Sequence, residues 1–181
     1  MFRKIILLAT FFFMICAVCS AETTVQVSDY TVNEFHQAYN QIARKYERND
    51  LIAEEVPSRA INKPGKIYDT YLLTAGRGEN RIVVHLVANK AGLISFISFF
   101  VWKDKQKIYY NNFAKVLTFT MMAVGLNEEE LLEMMNSTPK YNLGGVHWCA
   151  KTQRYITLQT TEIKNNAYFI IKSEIKAYVS E

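Results

Sequence analysis

Between positions 66 and 102 the chain carries three strand-length runs, "KIYDTYLLT", "RIVVHLVA" and "LISFISFFVW", with only "AGRGEN" and "NKAG" between them. Connections that short cannot hold the crossover that parallel neighbours require, so these runs predict an antiparallel meander. A second group, "VHWCA", "RYITLQTTEI" and "AYFIIKSEIKAYV", is spaced by "KTQ" and "KNN" and predicts another. In the second and third runs of the first group both alternating sets are apolar. Val83 and Val87 stand against Ile82, Val84 and Leu86; Ile97, Phe99 and Val101 stand against Ile94, Phe96 and Phe100. Strands of this kind need cover on both faces, so beyond the helices they ask for a second layer, a partner or a ligand. His85, between Val83 and Val87, is expected to be a buried, hydrogen-bonded histidine.

Helical periodicity appears elsewhere. In "TVNEFHQAYNQIARKYER", Val32, Phe35, Tyr39, Ile42 and Tyr46 recur at steps of three and four, and Thr31 with Glu34 forms a capping box. His36 lies one position off that stripe and is expected to be a partly exposed polar residue. The segment "NDLIAEEVPSRAINKPG" reads as a connection with a helical turn at its start. From Tyr109 to Gly125 the pattern predicts a second, more buried helix. Asn127 then caps a third, "NEEELLEMMNS", whose Glu128, Glu129 and Glu130 sit at the positive end of its dipole and whose Glu130 completes a second capping box. The fold class is therefore α+β, antiparallel sheet flanked by helices. Its element order allows a tandem α-β-β-β repeat with halves 22–107 and 108–181. In that order alone it is similar to secreted tandem helix-and-sheet inhibitors of β-lactamase, which carry disulfides that this chain cannot form.

The segment 1–21 places Arg3 and Lys4 before an apolar run from Ile5 to Val18 and ends in Cys19-Ser20-Ala21, the form of a secretory signal peptide. Cleavage after Ala21 leaves one α+β domain, 22–181, in a secreted or periplasmic location without a stable membrane anchor. Loss of Arg3 and Lys4 reduces the 21 basic residues to 19 against 17 acidic, a net charge of +2. That balance excludes nucleic acid as a partner. Of three cysteines only Cys149 survives, so no intrachain disulfide forms and stability rests on packing.

His147 and Cys149 are the chemical candidates. A thiol enzyme would pair Cys149 with a histidine, yet neighbours two apart on a strand are separated by about 6.6 Å of backbone and diverge in parallel. Alternation sets Val146, Trp148 and Ala150 on one face of "VHWCA", and that face is taken to be the core face shared with Ile156 and Leu158. The opposite face then collects His147, Cys149, Tyr155, Thr157, Gln159 and Tyr168, a polar and aromatic surface suited to a protein or cell-envelope partner. Histidines at 36, 85 and 147 lack metal-ligand spacing, and no cofactor motif is present; "GRGENR" lies between strands and is a hairpin loop rather than a phosphate cradle. The reading is a non-enzymatic binding protein, with a thiol-dependent or hydrolytic enzyme and a carrier of an apolar ligand as alternatives.

Overall fold

Helix α1 (Val32–Lys45) begins at its expected cap: the Glu34 amide donates to Thr31 Oγ1 at 3.4 Å, and the Glu34 carboxylate accepts from the Thr31 amide at 2.8 Å. Hydrogen bonds from the Thr31 amide and hydroxyl hold the Glu34 carboxyl below the usual carboxylate range. Val32, Phe35, Tyr39 and Ala43 are buried along one stripe. Removing the cap with Thr31→Ala is expected to cost about 1 kcal/mol, read as a lowered denaturant midpoint with an unchanged slope. Asn40, also buried, clamps the following connection: its Nδ2 donates to the Ala53 carbonyl and its Oδ1 accepts from the Ala53 amide, both at 2.9 Å. His36 joins the clamp, with Nε2 2.6 Å from the Ala53 carbonyl. It is a half-buried structural group, more engaged than its place beside the apolar stripe suggested.

The computed structural model describes residues 24–60, 68–78, 81–102, 107–136, 144–164 and 169–179. The expected signal peptide, 1–21, and Tyr168 lie outside the described residues. A 3₁₀ turn at Asn49–Leu51 supplies the helical turn expected after α1. Helix α2 (Lys107–Val124) stops at Gly125, whose φ of +134° is open to glycine and strained for other residues. Helix α3 (Glu128–Asn136) opens with its reciprocal box, Asn127 amide to Glu130 Oε2 at 2.7 Å and Glu130 amide to Asn127 Oδ1 at 2.9 Å. The acidic triplet is structural in two further ways. Glu128 accepts a hydrogen bond from the Tyr46 hydroxyl and lies 3.7 Å from Lys45 Nζ, tying α1 to α3. Glu130 uses Oε1 to accept from the Ala150 amide at 3.1 Å.

The strands are β1 (Thr24–Val25), β2 (Ser58–Arg59), β3 (Asp69–Ala75), β4 (Ile82–Ala88), β5 (Ile94–Trp102), β6 (Gly144–Cys149), β7 (Arg154–Lys164) and β8 (Phe169–Tyr178). They form one antiparallel sheet in the order β2-β3-β4-β5-β8-β7-β6, so the two meanders meet through their last strands, Ile97 opposite Ile175 and Phe99 opposite Ser173. Where β5 ends its contact with β8, β1 takes over, pairing Thr24 with Tyr178 and Val25 with Ala177. The amides of Val27 and Ser28 then both donate to the Ile94 carbonyl, at 2.8 and 3.2 Å. Neither β1 nor β2 was expected; two-residue strands carry no readable alternation. The tandem repeat is not confirmed, since α3 and β2 each stand in one half without a like element in the other.

The core lies between the helices and one face of this sheet, the face of Leu73, Ile82, Val84, Leu86, Ile97, Phe99, Ile175 and Ile156, all fully buried. Phe99 meets Phe113 of α2 edge to face, centroids 6.0 Å apart at 85°. A bulge in the β4–β5 ladder sets Ile94 opposite Ala88 and Phe96 opposite Val87. It turns Ile94 into the core and away from the Phe96 and Phe100 set in which strict alternation placed it.

Candidate functional site

The turn between β6 and β7 decides what the other face of the sheet displays. Read as "KTQ", the turn has three residues and pairs Trp148 with Ile156. In the structure it has four, because Ala150 leaves the strand, held by Glu130, and Gln153 adopts φ +52° while its amide donates to the Cys149 carbonyl at 2.9 Å. Cys149 therefore pairs with Arg154, His147 with Ile156 and Trp148 with Tyr155. A one-residue slip sends every side chain of a strand to the opposite face. This corrects the expected placement of His147 and Cys149: both are on the helix side, and Val146 and Trp148 take their place on the open side.

Cys149 is fully buried. Its Sγ lies 3.3 Å from where a Cβ on Gly125 would stand, close under the junction of α2 and α3. His147 is half-buried beneath α3, with Nδ1 3.9 Å from Glu133 Oε2. A buried thiol cannot receive a substrate without local opening. Two ties fix the hairpin that carries these residues to the chain before α1. Arg154 Nη2 donates to Asp29 Oδ1 at 2.6 Å, and Lys151 Nζ donates to the Tyr30 hydroxyl at 3.1 Å.

On the open face the register brings Tyr155, Thr157 and Gln159 of β7 beside Val146 and Trp148 of β6 and Tyr178, Lys176 and Glu174 of β8. The three β7 residues are thus where the sequence placed them relative to Ile156 and Leu158. Trp148 and Tyr155 pack edge to face, centroids 5.0 Å apart at 64°. Both remain well exposed, at 43% and 38%, and Val146 beside them is 61% exposed. Two bulky rings and a valine meeting water together are a contiguous apolar patch rather than scattered surface residues. Trp148 and Val146 were expected in the core because of their apolar bulk, and the length of the β6–β7 turn, which local pattern does not give, puts them on the open face.

Farther across the same face stand Phe96 and Phe100 of β5 and His85 of β4, with Phe100 37% exposed. The His85 ring meets Phe100 edge to face at 5.3 Å, and among the described residues this ring contact stands in place of the expected hydrogen bond. Burial holds its pKa below the ordinary imidazole value. Folded His85 thus resists a proton that the unfolded chain accepts near pH 6.5, and its linked stability is lost as pH falls below that value. His85→Leu is expected to flatten the dependence of the urea midpoint on pH between about 7 and 5.

Between the aromatic groups runs a charged row on β8, Lys172, Glu174 and Lys176. One Glu174 carboxylate oxygen is taken by Lys172 Nζ, and the other lies 3.5 Å from Lys176 Nζ. Burial pushes the Glu174 pKa up, but the Lys172 hydrogen bond and the charges of both lysines outweigh it and hold the carboxyl below its usual range. A separate cleft beside the 3₁₀ turn is lined by the polar residues Asn49, Asp50, Arg77 and Asn112. Among the described residues no group of three His, Cys, Asp or Glu side chains gathers to hold a metal, and no helix is long and apolar enough to cross a membrane. Comparison with protein-family models, with curated proteins and with solved structures finds no match.

Proposed function

We propose that this chain is a secreted or periplasmic binding protein that engages a protein or cell-envelope partner through the open face of its sheet. The observation that carries the reading is the exposed Trp148–Tyr155 pair with Val146, set on the face opposite the helices. Paired, half-ordered aromatic side chains give large contact area for little further loss of rotamer freedom, which is why Trp and Tyr dominate binding hot spots. Tyr155, Thr157 and Gln159 belong to this surface. His147 and Cys149 support it from behind, through the register of β6.

The reading is tested by affinity purification from the native host, identification of the retained protein, and titration of the purified pair. Trp148→Ala and Tyr155→Ala are each expected to weaken binding by about 30-fold, the scale of a hot-spot residue. Unchanged affinity in both variants would remove this face from consideration. The burial of Cys149 counts against the thiol-enzyme reading.

A further inference from the structure

This inference rests on the open face being the binding surface, and concerns the chemistry of its occupant. The described strands of that face bring three charged side chains to it, all on β8 at the middle of the sheet: Lys172, Glu174 and Lys176. Glu174 is the least exposed of the three, its side chain at 18% against 31% and 34% for the lysines. Both of its oxygens face an ammonium, while each ammonium has donors to spare. The Lys176 ammonium also sits 5.5 Å from the Phe96 ring centre, so its stem lies on the sheet. The row therefore carries one uncompensated positive charge, with Phe96 and Phe100 on its β5 side, Thr157, Gln159 and Thr161 opposite it on β7, and the Tyr155–Trp148 pair diagonally beyond Lys176.

We propose that the occupant of this face is a polypeptide segment that sets an aspartate or glutamate, between apolar side chains, over Lys172 and Lys176. An apolar residue pressed onto the row would strip water from three charges without compensating them, and a basic residue would meet the two lysines directly. A carboxylate completes the alternation of charge, and its apolar neighbours reach Phe96 and Phe100 on β5 and the Tyr155–Trp148 pair beyond Lys176. Nucleic acid fits poorly, since two lysines already sharing a carboxylate make a small basic footprint between apolar flanks.

The test is selection of a phage library of random-sequence dodecapeptides on the full chain. Selected peptides are expected to carry Asp or Glu among apolar residues, to bind at least about tenfold more weakly when Lys172 and Lys176 are both changed to Glu, and to weaken with Trp148→Ala. Selection repeated on the Lys172→Glu, Lys176→Glu chain is expected to return Lys or Arg instead. Should that chain fail the circular-dichroism check for folding, the Lys172→Gln and Lys176→Gln single variants serve, each expected to bind the selected acidic peptides more weakly. Peptides sensitive to Trp148→Ala but without acidic enrichment would overturn the charge inference and leave the binding face standing. Peptides indifferent to both sets of changes, or none at all, would overturn both.

Discussion

Cys149 is expected to react with a chromogenic disulfide reagent about a thousandfold or more slowly in the folded chain than in denaturant. The side chain has no accessible surface and is overlain by the α2–α3 junction. Reagent reaches it only through opening, and a domain stable by about 5 kcal/mol has an open fraction below about 0.001, each factor of ten being about 1.4 kcal/mol. The reaction is followed by absorbance with and without guanidinium at one pH. Immediate labelling of the native chain would show β6 to be in the other register, with Cys149 outward, and would return the thiol to candidacy as a functional group. The same burial argues against Cys149 linking two folded chains in an oxidising compartment.

Phe99→Ala is expected to lower unfolding stability by about 3–5 kcal/mol, enough to leave a marginal domain largely unfolded. The ring is fully buried on β5, opposite Val84 on one neighbour and Ser173 on the other, and it contacts Phe113 edge to face. The phenyl group leaves a hole at the seam where the two meanders meet, next to the small Ser173, which cannot fill it. The measurement is the urea midpoint beside that of Phe100→Ala. Phe100 adjoins Phe99 in sequence but is 37% exposed on the open face, and its removal is expected to cost about 1 kcal/mol or less through lost contact with His85. Equal losses for the two would mean that the open face is covered as thoroughly as the core.

Most elements were legible because their signals are local. Thr31 with Glu34 and Asn127 with Glu130 mark helix starts by hydrogen bonds spanning three residues, and both capping boxes form as the sequence implies. Ile156, alternating with Tyr155 and Thr157, gave the sides of β7 correctly. What local pattern could not supply was the relation between strands. Whether the β6–β7 turn holds three residues or four depends on Ala150, and Ala150 is placed by Glu130, which reaches it from a different element. The four-residue turn that accompanies this hydrogen bond puts His147, Cys149, Val146 and Trp148 on the faces opposite to those expected. Ile94 shows the same limit: its inward turn follows from a bulge opposite β4 and from the amides of Val27 and Ser28 meeting its carbonyl, none of which its own neighbours announce.

The pairing of β1 with the end of β8 also gives the molecule a direction of weakness. Thr24 opposes Tyr178 and Val25 opposes Ala177, so tension applied at Thr24 and Tyr178 acts across the ladder at its open end. The hydrogen bonds there would break pair by pair, as a zipper opens, instead of sharing the load as they would if sheared along the strands. Stretching the chain from its two sides would then begin at low force, by lifting β1 and uncovering the edge of β8, while the β5–β8 seam was still closed.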